Sequence, residues 1–287
     1  MFQCPVNLSE GRNERAFTKV REAMSAIPGV ALADLSMDPD HHRMVVSLLG
    51  GATGLKQAVL GLYEIASQEI DLRQHEGLHP RIGAVDVVPF VPLQGSTMEE
   101  AIELSLDVAR SVAERFQLPI ILYEESARHP EHQKLPDLRR EGLQERLDRL
   151  PADFGPPQLH PQLGASVMGA RRPLVAFNVV LESEDVRLAK DIAKHMRNSP
   201  GVRSLGWYLG SKSRVQVSMN LTDPATFDLH QAFERVRSLA AEQGVDIHSS
   251  ELIGLAPATS FVKMAQQHLR MESLQPDQLL ERNYLPW

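Results

Sequence analysis

The chain has 287 residues, 43% of them hydrophobic and 23% charged, and a formal net charge of -7. That allows one large domain or two small ones around a sizeable core, and it lacks the clustered Lys and Arg that nucleic-acid phosphates require. A single cysteine, Cys4, excludes an intrachain disulfide and fits a reducing compartment.

The start of the chain lacks the basic and apolar regions of a signal peptide, and no stretch approaches the roughly 18–20 apolar residues of a bilayer span. Cytoplasm is the expected location. Residues 2–8 form a first expected strand; its Pro5 suits an edge position. Ser9-Glu10-Gly11-Arg12-Asn13 is a polar turn, and Asn13 is placed to cap a helix over residues 14–26. Strands follow at 30–35 and 44–49, separated by the charged loop Asp38-Pro39-Asp40-His41-His42-Arg43. Thr53 is the expected cap of a helix running to about Ile70. Then comes His75-Glu76-Gly77-Leu78-His79-Pro80-Arg81-Ile82-Gly83-Ala84-Val85-Asp86-Val87. Its apolar end reads as a buried strand and its polar start as a loop held by that strand, a common place for chemistry.

The order strand, helix, two strands, helix, strand is the split βαβ, or ferredoxin-like, unit. A helix from Ser96-Thr97 to about Phe116 follows, with Glu99-Glu100 in its first turn, where the helix dipole favours acid. Residues 119–123 form a short strand. The polar stretch 131–150, with Arg139-Arg140, reads as one or two exposed helical pieces broken at Pro136 and Gly142, a solvated face. Prolines and glycines deny regular structure to residues 151–172. A loop of that length in a compact chain is usually functional or disordered, and its apolar members point to an ordered cover over a ligand.

A strand is expected at 173–181, then a helix from Glu184 to Met196 behind Ser183. Strands at 202–209 and 214–221 are joined by Gly210-Ser211-Lys212-Ser213, a hairpin signal. In the second, Val215, Val217, Met219 and Leu221 alternate with Arg214, Gln216, Ser218 and Asn220, so one face is buried and one polar. Thr226 is the expected cap of a helix that Gly244 ends. A strand at 246–253 closes the repeat, and a helical then irregular polar tail follows. The fold class expected is α+β: two ferredoxin-like subdomains with facing sheets and a cleft between them, lined by the polar face of residues 214–221.

His75 and His79 are four apart, but Gly77 and Pro80 argue against the helix that would align them on a metal. No third ligand is close in sequence, and catalytic sites usually hold three; no metal is expected. There is no P-loop and no Gly-x-Ser-x-Gly elbow, and Cys4 has no obvious activator. A histidine beside an arginine suits proton transfer near neutral pH on a small anionic substrate. A satisfied structural histidine is the alternative.

Taken together, the ordered blocks resemble the glutamate formimidoyltransferase family, the formiminotransferase part of formiminotransferase-cyclodeaminase. They are Pro5-Val6-Asn7-Leu8-Ser9-Glu10-Gly11, the loop ending His41-His42-Arg43, His79 through Phe90, Asp153-Phe154-Gly155-Pro156, Gly169-Ala170-Arg171, Gln216 through Leu221, and Ser250 through Leu255. The resemblance implies subdomains at 1–172 and 173–287, and a homodimer. It also implies formimino transfer from N-formimino-L-glutamate to N5 of the co-substrate tetrahydrofolate, a step of histidine degradation. The family's catalytic histidine falls on His79. Its folate-binding loop falls on Gly155-Pro156-Pro157-Gln158-Leu159-His160-Pro161-Gln162-Leu163-Gly164. Arg43 and Arg81 are candidates for the glutamate carboxylates, and a separate cyclodeaminase is a candidate partner. The family usually shows His-Asn-Arg where this chain has His41-His42-Arg43, and Gly-Glu-His where it has Gly77-Leu78-His79. Two alternatives stay open on that account: folate binding without turnover, and formyl transfer from N-formylglutamate.

Overall fold

The computed structural model describes residues 1–93, 95–139, 142–271, 273–275 and 278. By contacts the chain divides into two compact units, Met1–Arg172 and Pro173–Trp287.

The first unit begins β1 (Phe2–Leu8), α1 (Glu14–Ser25), β2 (Val30–Asp38), β3 (Arg43–Gly50), α2 (Ala52–Glu69), β4 (Val85–Pro92). It continues α3 (Met98–Phe116), β5 (Ile120–Leu122), α4 (Leu135–Leu138), α5 (Leu143–Arg149) and β6 (Ser166–Ala170). The strands make one six-stranded sheet in the order β2-β3-β1-β4-β6-β5. Its first four strands are the ferredoxin-like arrangement, antiparallel throughout; β6 and β5 extend it in parallel beside β4.

Helix starts follow local chemistry. The Asn13 side chain accepts from the amides of Arg15 and Ala16. Thr97 and Glu100 form a reciprocal capping box on α3. Helix α2 starts two residues earlier than Thr53 suggests, with Gly51 as its cap. Leu55, Leu62 and Tyr63 of α2, Met24 of α1 and Val108 of α3 pack on Met44, Leu48, Val88 and Phe90 in the main core. Truncating one such leucine to alanine costs about 2–5 kcal/mol.

Three expectations change. Pro5 lies on an interior strand, not an edge. The β1–β4 register of Gln3↔Val91 and Asn7↔Val87 sets Pro5 across from Pro89, so two residues without an N–H share one gap in the ladder. Residues 151–172 are not all loop, because they end in β6, which is fully buried. Small residues make that possible: a Cβ on Gly169 would overlap the carbonyl oxygen of Tyr123. The stretch at 131–150 is not simply solvated. Leu138 and Leu147 are 1% exposed and pack with Ile82, Val87, Ile121 and Tyr123 over the second face of β4, β5 and β6. Pro136 does not break α4 but sits in its first turn, where no N–H is needed. Arg140, half of the expected Arg139-Arg140 pair, lies outside the described residues.

The second unit runs β7 (Val175–Leu181), α6 (Val186–Met196), β8 (Val202–Leu209), β9 (Arg214–Leu221), α7 (Leu229–Ala241), β10 (Ile247–Ile253), α8 (Thr259–His268). Its sheet order, β10-β7-β9-β8, is again ferredoxin-like. Asp185 rather than Ser183 caps α6, and Asp228 rather than Thr226 caps α7 through a capping box with Gln231. Val215, Val217, Met219 and Leu221 enter the core as their alternation requires. On the other face Gln216 is buried and donates to Glu251 (2.8 Å). The tail expected after about residue 273 lies outside the described residues except at 273–275 and 278.

Candidate active site

The ends of three strands meet where β1 stops and β3 and β4 start: Leu8 pairs with Met44 and with Val85. Four loops gather there, at 9–13, 38–43, 71–84 and 160–165. Glycine lets them approach. A Cβ on Gly11 would overlap the carbonyl of Asp38, and one on Gly77 would lie 2.7 Å from His42 Cβ and 2.8 Å from the His41 carbonyl. A Cβ on Gly83 would overlap the carbonyl of Ala165. Ser9 fastens the first loop to the third, its Oγ donating to Gly83 O (2.7 Å) and its amide to Ala84 O (2.8 Å).

At the centre is Asp86, fully buried at the start of β4. Its Oδ1 accepts from the amide of Ile82 (2.6 Å). Its Oδ2 accepts from Arg139 Nη2 (2.5 Å) and pairs with Arg43 Nη1 (3.3 Å). Arg43 Nε donates to Asn7 Oδ1 (2.8 Å), which fixes the guanidinium plane. Burial lowers the Arg43 guanidinium to about 10, against the opposing pull of Asp86, so it stays charged at neutral pH. Two cations face one carboxylate, and this surplus positive charge suits an anionic ligand.

His79 stands against this cluster, half-buried, with Nδ1 2.6 Å from Arg43 Nη1 and 2.8 Å from the Pro80 carbonyl. The two contacts correspond to two tautomers. Arginine only donates, so Nδ1 facing Arg43 must carry the lone pair; facing Pro80 O it carries the proton and the lone pair moves to Nε2. Burial first, then the charges of Arg43 and Arg139, hold the imidazole well below its ordinary 6.5. It is therefore neutral at physiological pH, as a general base must be.

The neighbouring histidines have structural partners. His41 donates its amide to Asp38 Oδ1, and its Nδ1 contacts Asp38 Oδ2, both at 2.8 Å. Burial alone would raise the Asp38 carboxyl, but the His41 bonds outweigh it and hold it low. His42 and His75 stack with ring centroids 4.0 Å apart. His42 Nε2 contacts Glu10 Oε1 (3.1 Å), and its backbone is left-handed, with φ +50. Histidine, like asparagine and aspartate, tolerates that conformation better than most side chains. Leu78 is 46% exposed and brings no charge beside His79.

The segment Gly155–Gly164 is held by its own hydrogen bonds. Gly155 has φ +85 under the Leu118 carbonyl. The Leu159 amide donates to Gln144 Oε1 (3.1 Å). His160 Nδ1 accepts from the amides of Gln162 and Leu163, so its proton is on Nε2. Gln162 Nε2 donates to Ser67 O and Ile70 O at the end of α2. Leu163 O accepts from the Ala84 amide, and Gly164 bridges Gly83, which attaches this segment to the His79 loop. Arg81, by contrast, donates to the carbonyls of His75 (2.8 Å) and Leu72 (3.3 Å) and braces its own loop.

Sequence reasoning left Arg139 on a solvated face and gave Asp86 no role. The signal for Asp86 was a carboxylate inside an otherwise apolar strand, which a core accepts only when paired. No local signal marked Arg139, which reaches Asp86 from 53 residues away.

Family models match along the chain: the formiminotransferase domain, N-terminal subdomain, over residues 1–171, and the formiminotransferase domain over 176–281. The chain is 38% identical to glutamate formimidoyltransferase of Streptococcus pyogenes serotype M1, over 99% of this chain and 98% of that protein. It is 35% identical to the Thermoplasma acidophilum glutamate formimidoyltransferase, over 98% and 96%. With the Rattus norvegicus formimidoyltransferase-cyclodeaminase it shares 35% identity over 96% of its length but 53% of that protein. Similarity of this extent, over both units, means that the chain belongs to the formiminotransferase family.

Proposed function

We propose that the protein transfers the formimidoyl group of N-formimino-L-glutamate to N5 of tetrahydrofolate, with His79 moving the proton. The observation that carries this is an imidazole whose Nδ1 lies against both Arg43 Nη1 and the Pro80 carbonyl, beside a doubly cationic cluster, in a chain of this family. The co-substrate supplies a nucleophilic secondary amine at N5. A C–N bond forms there, and the bond between the formimidoyl carbon and the glutamate nitrogen breaks. One proton must leave N5 and one must reach the glutamate nitrogen. With Nδ1–H on the Pro80 carbonyl, Nε2 accepts the first, and the same atom returns it to the leaving nitrogen.

The substrate carboxylates fit Arg43 and Arg139, whose charges exceed that of Asp86 by one. The partners of Arg81 favour a bracing role for that residue. Neutralising the surplus cation would raise the His79 pKa once the substrate is bound, bringing the base nearer to its working range. Residues Gly155–Gly164 are the proposed folate-binding segment, supported by their attachment to the His79 loop at Gly83–Gly164. Holding both substrates in one site supplies much of the remaining acceleration. A homodimer, which the family resemblance implies, completes the reading, with a separate cyclodeaminase as a candidate partner and the cytoplasm as the expected location.

Purified protein incubated with formiminoglutamate and tetrahydrofolate should give spectroscopic product formation. His79→Ala should lower kcat by about 100- to 10,000-fold while leaving Tm unchanged. Tight folate binding without turnover, or turnover with N-formylglutamate only, would overturn the proposal. So would full activity in a folded His79→Ala protein.

A further inference from the structure

The second unit carries a group of side chains that the transfer reaction does not use. His230 and Glu234 stand four apart on α7, on one face of the helix. His268 is the last residue of α8. One ligand atom from each lies within 4.8 Å of the other two. The two imidazole centroids are 4.8 Å apart, and the rings are nearly perpendicular at 88°. His230 and Glu234 are half-buried and His268 is exposed, so solvent reaches the group.

We propose that His230, Glu234 and His268 bind a divalent transition ion of the zinc type, which clamps α8 onto α7. Two imidazole nitrogens and one carboxylate oxygen suit Zn²⁺, Co²⁺ or Ni²⁺; Mg²⁺ and Ca²⁺ select all-oxygen sets. Ligand atoms around tetrahedral zinc lie about 3.3 Å apart, given Zn–N bonds of about 2.0–2.1 Å. Small side-chain rotations on an accessible surface close the present spacing to that value. Arg237, also on α7, holds Glu234 through Oε2. An outer partner of this kind orients a ligating carboxylate.

The ion completes an attachment already begun along α8. Lys263 pairs with Asp228, the cap of α7 (3.4 Å), and donates to the Ala225 carbonyl in the turn before it (3.2 Å). Those contacts hold the middle of α8; the His268 end lies one turn further on. The bound ion would make detachment of that end require loss of a metal ligand.

The full chain, stripped with chelator and titrated with ZnCl₂ by calorimetry, should bind one equivalent that His230→Ala and His268→Ala each abolish. His79→Ala should keep it. Hydrogen exchange of α8 amides should slow by about 100-fold at free Zn²⁺ 100 times Kd, because opening destroys the site. In His268→Ala zinc should leave that exchange unchanged, while unaltered exchange elsewhere in the second unit reports an intact fold. Zinc binding that survives His268→Ala, that vanishes in His79→Ala, or that leaves α8 exchange unchanged in the unaltered protein overturns the proposal.

Discussion

Replacing Arg139 by methionine keeps most of the side-chain length and removes its charge and donors. Arg139 Nη2 lies 2.5 Å from Asp86 Oδ2, and the two side chains are 14% and 1% exposed. Breaking a buried pair by deleting one partner costs about 3–5 kcal/mol. Here Asp86 keeps Arg43 Nη1 at 3.3 Å and the amide of Ile82 at 2.6 Å. That residual compensation reduces the expected loss to about 2–3 kcal/mol. At about 2–4 °C per kcal/mol for a unit of this size, Tm should fall by about 4–12 °C. The charge of Arg139 also helps hold His79 below its ordinary value, after burial and Arg43. Removing it should raise that pKa, so the acid limb of the kcat/KM profile moves to higher pH. Calorimetry and a pH–rate profile measure the two effects on one sample. A variant as stable as the parent, with its acid limb unmoved, refutes both the buried Arg139–Asp86 pair and the charge effect of Arg139 on His79.

Gly83→Ala should be severe, because both clashing atoms are backbone or fixed to it. A loss above about 3 kcal/mol in urea titration, with weakened folate binding, is expected; near-parental behaviour would mean that the 160–164 segment is not locked to the His79 loop. Acid should destabilise the fold through His75 and His79, both held low first by burial. Below about pH 6.5 the unfolded chain binds protons that the native one refuses, so stability declines as pH falls from there towards the folded values, and is flat from this source above it. Urea titrations at pH 7.5 and 5.5 should show that decline, reduced in His79→Gln. Leu78→Glu places a carboxylate beside His79 on an exposed site. It should change stability by no more than about 0.5 kcal/mol and move the acid limb up in pH; a limb moving down would contradict the electrostatic account.

The sequence by itself determined the elements and their repeat. Apolar spacing placed nearly all helices and strands, and the order of elements was enough for two ferredoxin-like units, because hydrophobic period is a local property. The residues alone marked the loop before β4 as a place for chemistry and left a structural histidine open; the family resemblance is what points to His79 within it. Only the tertiary structure decided the rest. Pro5 became tolerable in an interior strand because Pro89 faces it, which depends on register. Residues 166–170 became a strand because β4 and β5 lie on either side to bond them. Arg139 joined the site because α4 folds over the sheet and brings a guanidinium to a carboxylate distant in the chain. Charge pairing between remote residues carries no periodicity, so the electrostatic environment of His79 is a product of the packed fold.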